Sequence, residues 1–433
     1  MSRENIRVAV FGLGFVGLPL ALSFAMRGCT VCGVDVNEEL VEEINSGVTY
    51  HQESYRGLGI REILRRELDA GRFSATGRPG EAMASCDNII ITVGLPVSDG
   101  VPYYGHLEDC VRAVAAGLKK GDLVVVRGTM VPGMTRGLVL PLLEESGLKA
   151  GEDFYLAYSS ERIAEGKAFE EFENMPGLVG GYDEKAALRA RELLSVVTRA
   201  ELALASCFEV VETAKVVENV SRDVNIALVN ELAVFCKAVG IDVFEVIALA
   251  NTHKRVSLLV PGPGVGGYCI PNALHYLTPK AGELGVDLPL MKTARQVNEE
   301  MPAHVVSLVM KNLRVPPSVG RVAVLGIAMK DYSSDDRCSP AHRIINLLER
   351  AGLEVRAFDP AVPARYHFSA DSLEKALEGA HGALILARQE GIDLSDLERI
   401  AGMLNGGITP FIIDAKNILR GRKIPPGLVV EGL

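Results

Sequence analysis

Two stretches at opposite ends of this chain read almost alike. Arg7-Val8-Ala9-Val10-Phe11-Gly12 is echoed by Arg321-Val322-Ala323-Val324-Leu325-Gly326. Gly28-Cys29-Thr30-Val31-Cys32-Gly33-Val34-Asp35 is echoed, at the same internal spacing, by Gly352-Leu353-Glu354-Val355-Arg356-Ala357-Phe358-Asp359. Each copy is an apolar run, a glycine, a helix-length interval and a second run that ends on aspartate. Unbroken apolar runs suit strands buried on both faces, as in parallel sheets covered by helices. The pattern predicts an α/β protein with two doubly wound sheets.

The first copy continues as Gly12-Leu13-Gly14-Phe15-Val16-Gly17, with a helical pattern from Leu18 to Arg27 and a strand from Thr30 to Val34. Glycines between a strand and a helix allow a tight turn and let a pyrophosphate approach the helix N-terminus, where free N–H groups favour anions. Asp35, closing the second strand, suits a ribose diol and repels a 2′-phosphate, which favours NAD over NADP. The expected cofactor contacts are Gly12, Gly14, Phe15, Val16, Gly17 and Asp35. Further strands are expected at 88–93 and 123–127. In the second Rossmann-like copy Ala328-Met329-Lys330 replaces the remaining glycines. It should bind something other than a dinucleotide, with Lys330 and Arg337 available for phosphate. Strands are expected there at 383–387 and 411–413, with a hinge near Val315-Pro316-Pro317.

Between the copies, Ser206 to Glu209 reads as a capping box that opens a long helix, apolar from Val210 to Val239 and stopped at Gly240. Lys215 and Asn219 lie one turn apart on it. So apolar a helix is expected to pack between domains or subunits, and a lysine and an amide held there suit a developing oxyanion. After it comes Pro261-Gly262-Pro263-Gly264-Val265-Gly266-Gly267-Tyr268-Cys269-Ile270-Pro271, expected to be a fixed loop with one thiol at its centre. Two strand-end fragments matter as well. Gly128-Thr129-Met130-Val131-Pro132-Gly133 offers a hydroxyl, and Tyr158-Ser159-Ser160-Glu161-Arg162 offers a carboxylate.

Of 433 residues, 48% are hydrophobic and 23% charged, and the net charge is −10. Such a chain buries sizeable cores and is not expected to bind nucleic acid or an anionic membrane. No leader is read in Met1-Ser2-Arg3-Glu4-Asn5 and no apolar run reaches a membrane span, so a cytoplasmic protein is expected. The eight cysteines read as thiols, not a disulfide framework. Cys29 and Cys32, at an odd separation in a strand, should point to opposite faces, with no metal between them.

In this order, these motifs resemble the UDP-glucose/GDP-mannose dehydrogenase family over essentially the whole chain. The resemblance rests on GxGxxG with Asp35, the Gly-Thr-x-x-Pro-Gly around Thr129, and Ser-x-Glu-Arg through Glu161. It continues through the helix bearing Lys215 and Asn219, the GGxCxP loop, Lys330 and Arg337. Asn251-x-His253-x-Arg255-Val256 followed by the Pro-Gly-Pro-Gly-Val-Gly-Gly run is most similar to the branch acting on UDP-N-acetylmannosamine and related N-acetylhexosamines. The resemblance implies an NAD-binding domain at 1–200, a central helical dimerisation domain with the cysteine loop at 201–312, and a UDP-sugar-binding domain at 313–433.

It also implies a four-electron oxidation of a sugar C6 alcohol to a carboxylate in a homodimer. Cys269 would carry a thiohemiacetal and then a thioester, with Lys215 and Asn219 stabilising the oxyanions. Thr129 and Glu161 would position water and assist proton transfer. Glu161, Arg162, Lys215, Asn219, Arg255, Gly266, Tyr268, Lys330 and Arg337 would contact the substrate, and Thr129 and Lys330 the cofactor side.

Three positions depart from the family pattern. Ala273 stands where an aspartate usually activates the hydrolytic water, Tyr268 where the branch commonly has histidine, and Leu95 where a threonine is usual. UDP-glucose oxidation, or a hydrolysis-impaired nucleotide-sugar binder, are the alternatives. A two-electron β-hydroxyacid dehydrogenase would need neither the cysteine loop nor the second nucleotide domain. Tyr276 and Lys280 form YxxxK beside Pro279, far from where a short-chain dehydrogenase needs it.

Overall fold

The structure is a computed structural model describing residues 6–163, 166–404 and 407–433; the Met1–Asn5 segment lies outside them. Its contacts divide the chain into two compact units, Met1–Glu218 with His275–Asp287, and Asn219–Leu274 with Leu288–Leu433.

The first unit is built on strand β1 (Arg7–Phe11), helix α1 (Gly17–Ala25), then strands β2 (Thr30–Val34), β3 (Phe73–Thr76), β4 (Asn88–Ile91), β5 (Leu123–Val126), β6 (Tyr155–Ser159), β7 (Gly177–Gly181) and β8 (Leu202–Ala205). They form one sheet in the order β8-β7-β6-β5-β4-β1-β2-β3. Six strands are parallel in the order 3-2-1-4-5-6 of a dinucleotide-binding sheet. β7 runs antiparallel to β6 and extends the edge with β8. Val8, Val10, Val31, Ile90 and Val125 are buried together with Leu18 and Phe24 of α1. The all-apolar runs read from the sequence are these two-sided central strands.

β1 and β2 have the expected bounds. α1 ends two residues before the expected Arg27, because Gly28 at φ +90 turns the chain out of the helix. β4 ends at Ile91, short of the expected Val93. Thr92 there turns its hydroxyl onto the Phe11 and Gly12 carbonyls at 2.9 and 2.8 Å.

Helix α2 (Phe208–Val239) is 32 residues long and belongs partly to each unit. It opens at Phe208, and the carboxylate of Glu209 on its first turn pairs with Arg136 at 2.7 Å. At its other end Gly240 adopts φ +81, and the Gly240 and Ile241 N–H groups both bond to the Cys236 carbonyl at 2.9 Å, an αL stop.

The second unit continues α2 with α3 (Val243–Ala250), the start of α4 (Cys269–Glu283) and α5 (Pro289–Asn312). Its strands are β9 (Arg321–Leu325), β10 (Glu354–Phe358), β11 (Gly382–Ile385), β12 (Phe411–Asp414) and β13 (Val429–Gly432), with α6 (Pro340–Arg350) following β9. The strand order is β10-β9-β11-β12-β13, all parallel, the 2-1-3-4-5 order of the other common doubly wound sheet. β11 stops at Ile385, short of the expected Ala387, and β13 is an additional edge strand. A buried polar cluster ties α2 to α5. Asp223 accepts from Arg295 at 3.0 Å and from Asn298 at 2.7 Å, and Asn230 donates to Asn298 at 2.8 Å.

Candidate active site

In the first unit the glycine loop has the shape a dinucleotide requires. Gly12 sits at φ +90, its N–H bonded to the Val34 carbonyl at 2.8 Å. A Cβ on Gly17 would fall 1.7 Å from the Gly12 carbonyl oxygen, so only glycine lets α1 start there. A Cβ on Gly14 would meet no atom within 4 Å, so that face of the loop is open to a ligand. α1 has no side-chain cap, which leaves its first N–H groups for an anion. Asp35 accepts from Leu13 N at 2.8 Å and Asn37 N at 3.0 Å, one donor per oxygen, so each oxygen keeps a lone pair for a ribose hydroxyl. These residues fit NAD. Phe15 is 40% exposed at the loop tip.

Thr129 is half-buried in the loop after β5. Gly128 leaves no room for a side chain, since a Cβ would lie 2.6 Å from the Val93 carbonyl. The loop is held by a residue the sequence reading passed over. Glu212, fully buried on the first turns of α2, accepts from Gly133 N at 2.6 Å and Thr135 N at 2.8 Å. Burial pushes its carboxyl above the ordinary range against those two bonds. Lys215, one turn on, is half-buried, as is Asn219.

Glu161 is tightly held. Oε2 accepts from Arg127 Nε at 2.8 Å, and Oε1 from the backbone N–H groups of Arg162 at 2.7 Å and Ile163 at 3.0 Å. Arg127 in turn donates to Ser159 Oγ at 3.2 Å. Arg162 is engaged by Glu218 and by the Pro176 carbonyl. Leu95 is buried and its carbonyl accepts from Tyr276 Oη at 2.8 Å, while Lys280 pairs with Glu283 at 2.8 Å. The Tyr276 and Lys280 of the YxxxK match are therefore in structural bonds.

In the second unit Cys269 is exposed, and it is the first residue of α4, not the centre of a loop. Pro271 is tolerated because first-turn N–H groups need no helical partner. The sulfur thereby sits at the positive end of a helix dipole. The glycines before it are a packing requirement. A Cβ on Gly266 would lie 2.8 Å from Pro340 Cδ and 3.0 Å from Met329 Cβ, and one on Gly267 would lie 2.8 Å from Met329 Sδ. The thiol loop thus rests on the segment that follows β9. Tyr268 is 43% exposed, Arg255 is exposed, and Ala273 is buried at 2%.

Lys330 is exposed, whereas Arg337 forms a two-pronged ion pair with Asp335 at 2.8 and 2.7 Å. Asp359, the counterpart of Asp35, accepts from Ile327 N, Ala328 N, Ala361 N and Gln389 Nε2. Oδ2 takes three of these donors and Oδ1 one, so this copy uses its acid mainly to tie down the loop, where the first copy leaves a lone pair on each oxygen for a ribose. Among the described residues no group of three His, Cys, Asp or Glu side chains could hold a metal, and no helix is long and apolar enough to cross a membrane. All eight cysteines are outside disulfides; burial and Cys86 push the Cys32 thiol up to about 11.

The 3-2-1-4-5-6 sheet, its glycine cradle and Asp35 define a dinucleotide-dependent oxidoreductase. Residues 6–198 match the NAD binding domain of the UDP-glucose/GDP-mannose dehydrogenase family, 209–300 its central domain and 323–421 its UDP binding domain. The UDP-N-acetyl-D-mannosamine dehydrogenase of Pyrococcus horikoshii is 36% identical over 431 residues, 99% of each chain. A solved structure of UDP-D-ManNAc dehydrogenase from that organism superimposes with a TM-score of 0.89, covering 99% of each chain. The UDP-N-acetyl-D-glucosamine 6-dehydrogenase of Pseudomonas aeruginosa is 33% identical over 393 residues, 89% of this chain and 90% of its own. The chain belongs to the UDP-glucose/GDP-mannose dehydrogenase family and is an NAD-dependent nucleotide-sugar dehydrogenase.

Proposed function

We propose that the chain oxidises a UDP-N-acetylhexosamine, with UDP-N-acetylmannosamine the first candidate, at C6 to the uronate. The observation that carries this reading is an exposed cysteine on the first turn of a helix, behind a glycine pair packed on the UDP-binding domain. The names borne by the relatives in Pyrococcus and Pseudomonas support the substrate class. NAD, held by the Gly12–Gly17 loop and Asp35, would accept hydride.

The chain's own residues then have separate tasks. Cys269 as thiolate adds to the C6 aldehyde carbonyl, forming a C–S bond and a thiohemiacetal oxyanion. A thiolate suits the role because it attacks a carbonyl and later leaves. Lys215 and Asn219 donate to the oxyanion, each such donor typically worth ~3 kcal/mol. After the second oxidation the carbon is a thioester; water breaks its C–S bond, freeing the thiol and the carboxylate. Thr129 and Glu161 order that water, Arg255, Lys330 and Arg337 hold the UDP moiety, and Arg162, Gly266 and Tyr268 shape the sugar pocket.

The protein acts as a cytoplasmic homodimer in this reading. In the second unit α2 presents Leu228, Phe235 and Val239 at 48, 59 and 56% exposure, spaced to share one face, and Ile241 and Leu249 add to the exposed apolar surface. A second reading, a nucleotide-sugar binder that stalls as the thioester, is favoured by Ala273. The test is incubation with NAD and a panel of UDP-sugars, counting NADH per sugar. Two NADH per sugar with free uronate over many turnovers supports the first reading; two NADH per active site with the acyl group retained on the protein supports the second. UDP-glucose turning over faster than any N-acetylhexosamine would replace the proposed substrate.

A further inference from the structure

Away from the glycine loop, the first unit has a cavity of about 410 Å³ that the dehydrogenase chemistry does not use. It is lined by Arg27 just past the end of α1, Tyr55 and Arg56 of the Ser54–Gly59 hairpin, Arg66, and the 195–199 segment, with Glu173 on its wall. Three guanidinium groups converge on a single carboxylate oxygen. Arg199 Nε lies 3.0 Å from Glu173 Oε1, Arg56 Nη2 3.5 Å and Arg27 Nη2 3.6 Å, while Tyr55 Oη donates to Oε2 at 2.7 Å.

Burial pushes the Glu173 carboxyl up, but Tyr55 with Arg199, Arg27 and Arg56 outweighs it and holds the group below its ordinary range, ionised. Three cations on one anion leave an excess of two positive charges on the cavity wall. Arg66 shares Glu67 with Arg72, at 3.0 and 2.6 Å, and is left out of that count. In a chain of net charge −10 this is a local reversal of sign. One oxygen cannot take the planar forks of three guanidinium groups. Arg56 and Arg199, 64 and 73% exposed, keep donors in the geometry that matches phosphate bidentately.

We propose that this cavity is an anion site, separate from the dinucleotide cradle, for a small phosphorylated compound. The phosphoryl group is bridged by Arg56 and Arg199, with Arg27 behind them. Arg27 lies just past the end of α1, whose rise from Gly17 to Ala25 alone sets the site about 12 Å from the glycine loop. The two sites can therefore be filled independently.

The test is calorimetric titration of inorganic pyrophosphate into protein already saturated with NADH and UDP. One site is expected, weakening as salt is raised. Arg56→Ala and Arg199→Ala should each weaken it roughly tenfold, as loss of a charged hydrogen bond does, with NADH affinity measured by its fluorescence unchanged. Glu173→Gln removes the competing charge and should tighten pyrophosphate several-fold, whereas a purely structural arginine cluster predicts no gain. No heat once the nucleotide sites are filled, or binding indifferent to Arg56→Ala and Arg199→Ala, would overturn the proposal.

Discussion

Arg127 and Glu161 form an ion pair at 2.8 Å, with side chains only 10 and 11% exposed. The pair sets what Glu161 can do. Its carboxylate is gripped by one cation and two backbone donors, an arrangement for holding a water in place rather than for moving freely. Arg127→Ala would leave the carboxylate buried without its cation and should cost about 3–5 kcal/mol of stability, read by urea denaturation. Glu161→Gln should cost less stability and act on turnover instead, slowing steady NADH production by ~10²–10⁴-fold if the carboxylate assists hydrolysis.

Cys269→Ala should abolish uronate formation while NADH binding stays at the wild-type level. Uronate output at the wild-type rate from that variant would remove Cys269 from the mechanism.

Asp35 should give a large preference for NAD in kcat/KM. Asp35→Ser loses the charge that meets the ribose hydroxyls, and roughly 10- to 100-fold of that preference should go with it. Equal use of both cofactors by the wild-type protein would be inconsistent with the assignment.

Ala273 sharpens the hydrolysis question, because the position is buried. If no residue replaces the missing carboxylate, mixing with NAD and sugar should give a burst of NADH and then a stall, with an adduct on Cys269 visible by mass spectrometry. Ala273→Asp should raise the steady rate if hydrolysis limits, at a stability cost of about 1–3 kcal/mol unless the new carboxylate finds a donor. Neither burst nor adduct, and no change in rate, would mean that the substitution is of no consequence.

Glu431 anchors β13 to α2 and α5 through Lys237 at 2.9 Å, Lys311 at 3.0 Å and Asn312. Burial alone would raise its pKa; Lys237, Asn312 and Lys311 bring it down to about 2. A depressed folded-state value means the stabilisation is complete above the ordinary glutamate range and is lost as the pH falls toward 2. With solvent screening it should be about 1–2 kcal/mol. Glu431→Gln should be destabilised by that much at pH 7, with the gap to the wild type narrowing as the pH falls and closing only below pH 2.

The parts of the fold set by chain-local physics were legible. β1 and β2 fall where their apolar runs do, and Gly12 and Gly17 are required by a positive φ and a 1.7 Å approach that no other residue satisfies. Helix ends were less so, because the stop of α1 is set by the conformation of Gly28 and not by hydrophobic periodicity. Cys269 was expected mid-loop because proline normally marks loops, yet a first-turn Pro271 is compatible with a helix. Glu212 and Thr92 were invisible. Each acts on backbone far away in sequence, and nothing local marks a glutamate as buried. The pairing of Arg337 with Asp335, two residues before it, was not visible either.

The path of the chain has a practical consequence for anyone wishing to take the protein apart. Residues 275–287 return to the first unit after the second has begun, and Tyr276 is bonded there to Leu95. No single cut therefore separates the halves. Truncation after Glu218 removes a helix segment that closes the first unit, and a fragment starting at Asn219 carries that segment with nothing to dock on. Independent expression of either half calls for grafting a short helical patch, not for choosing a boundary.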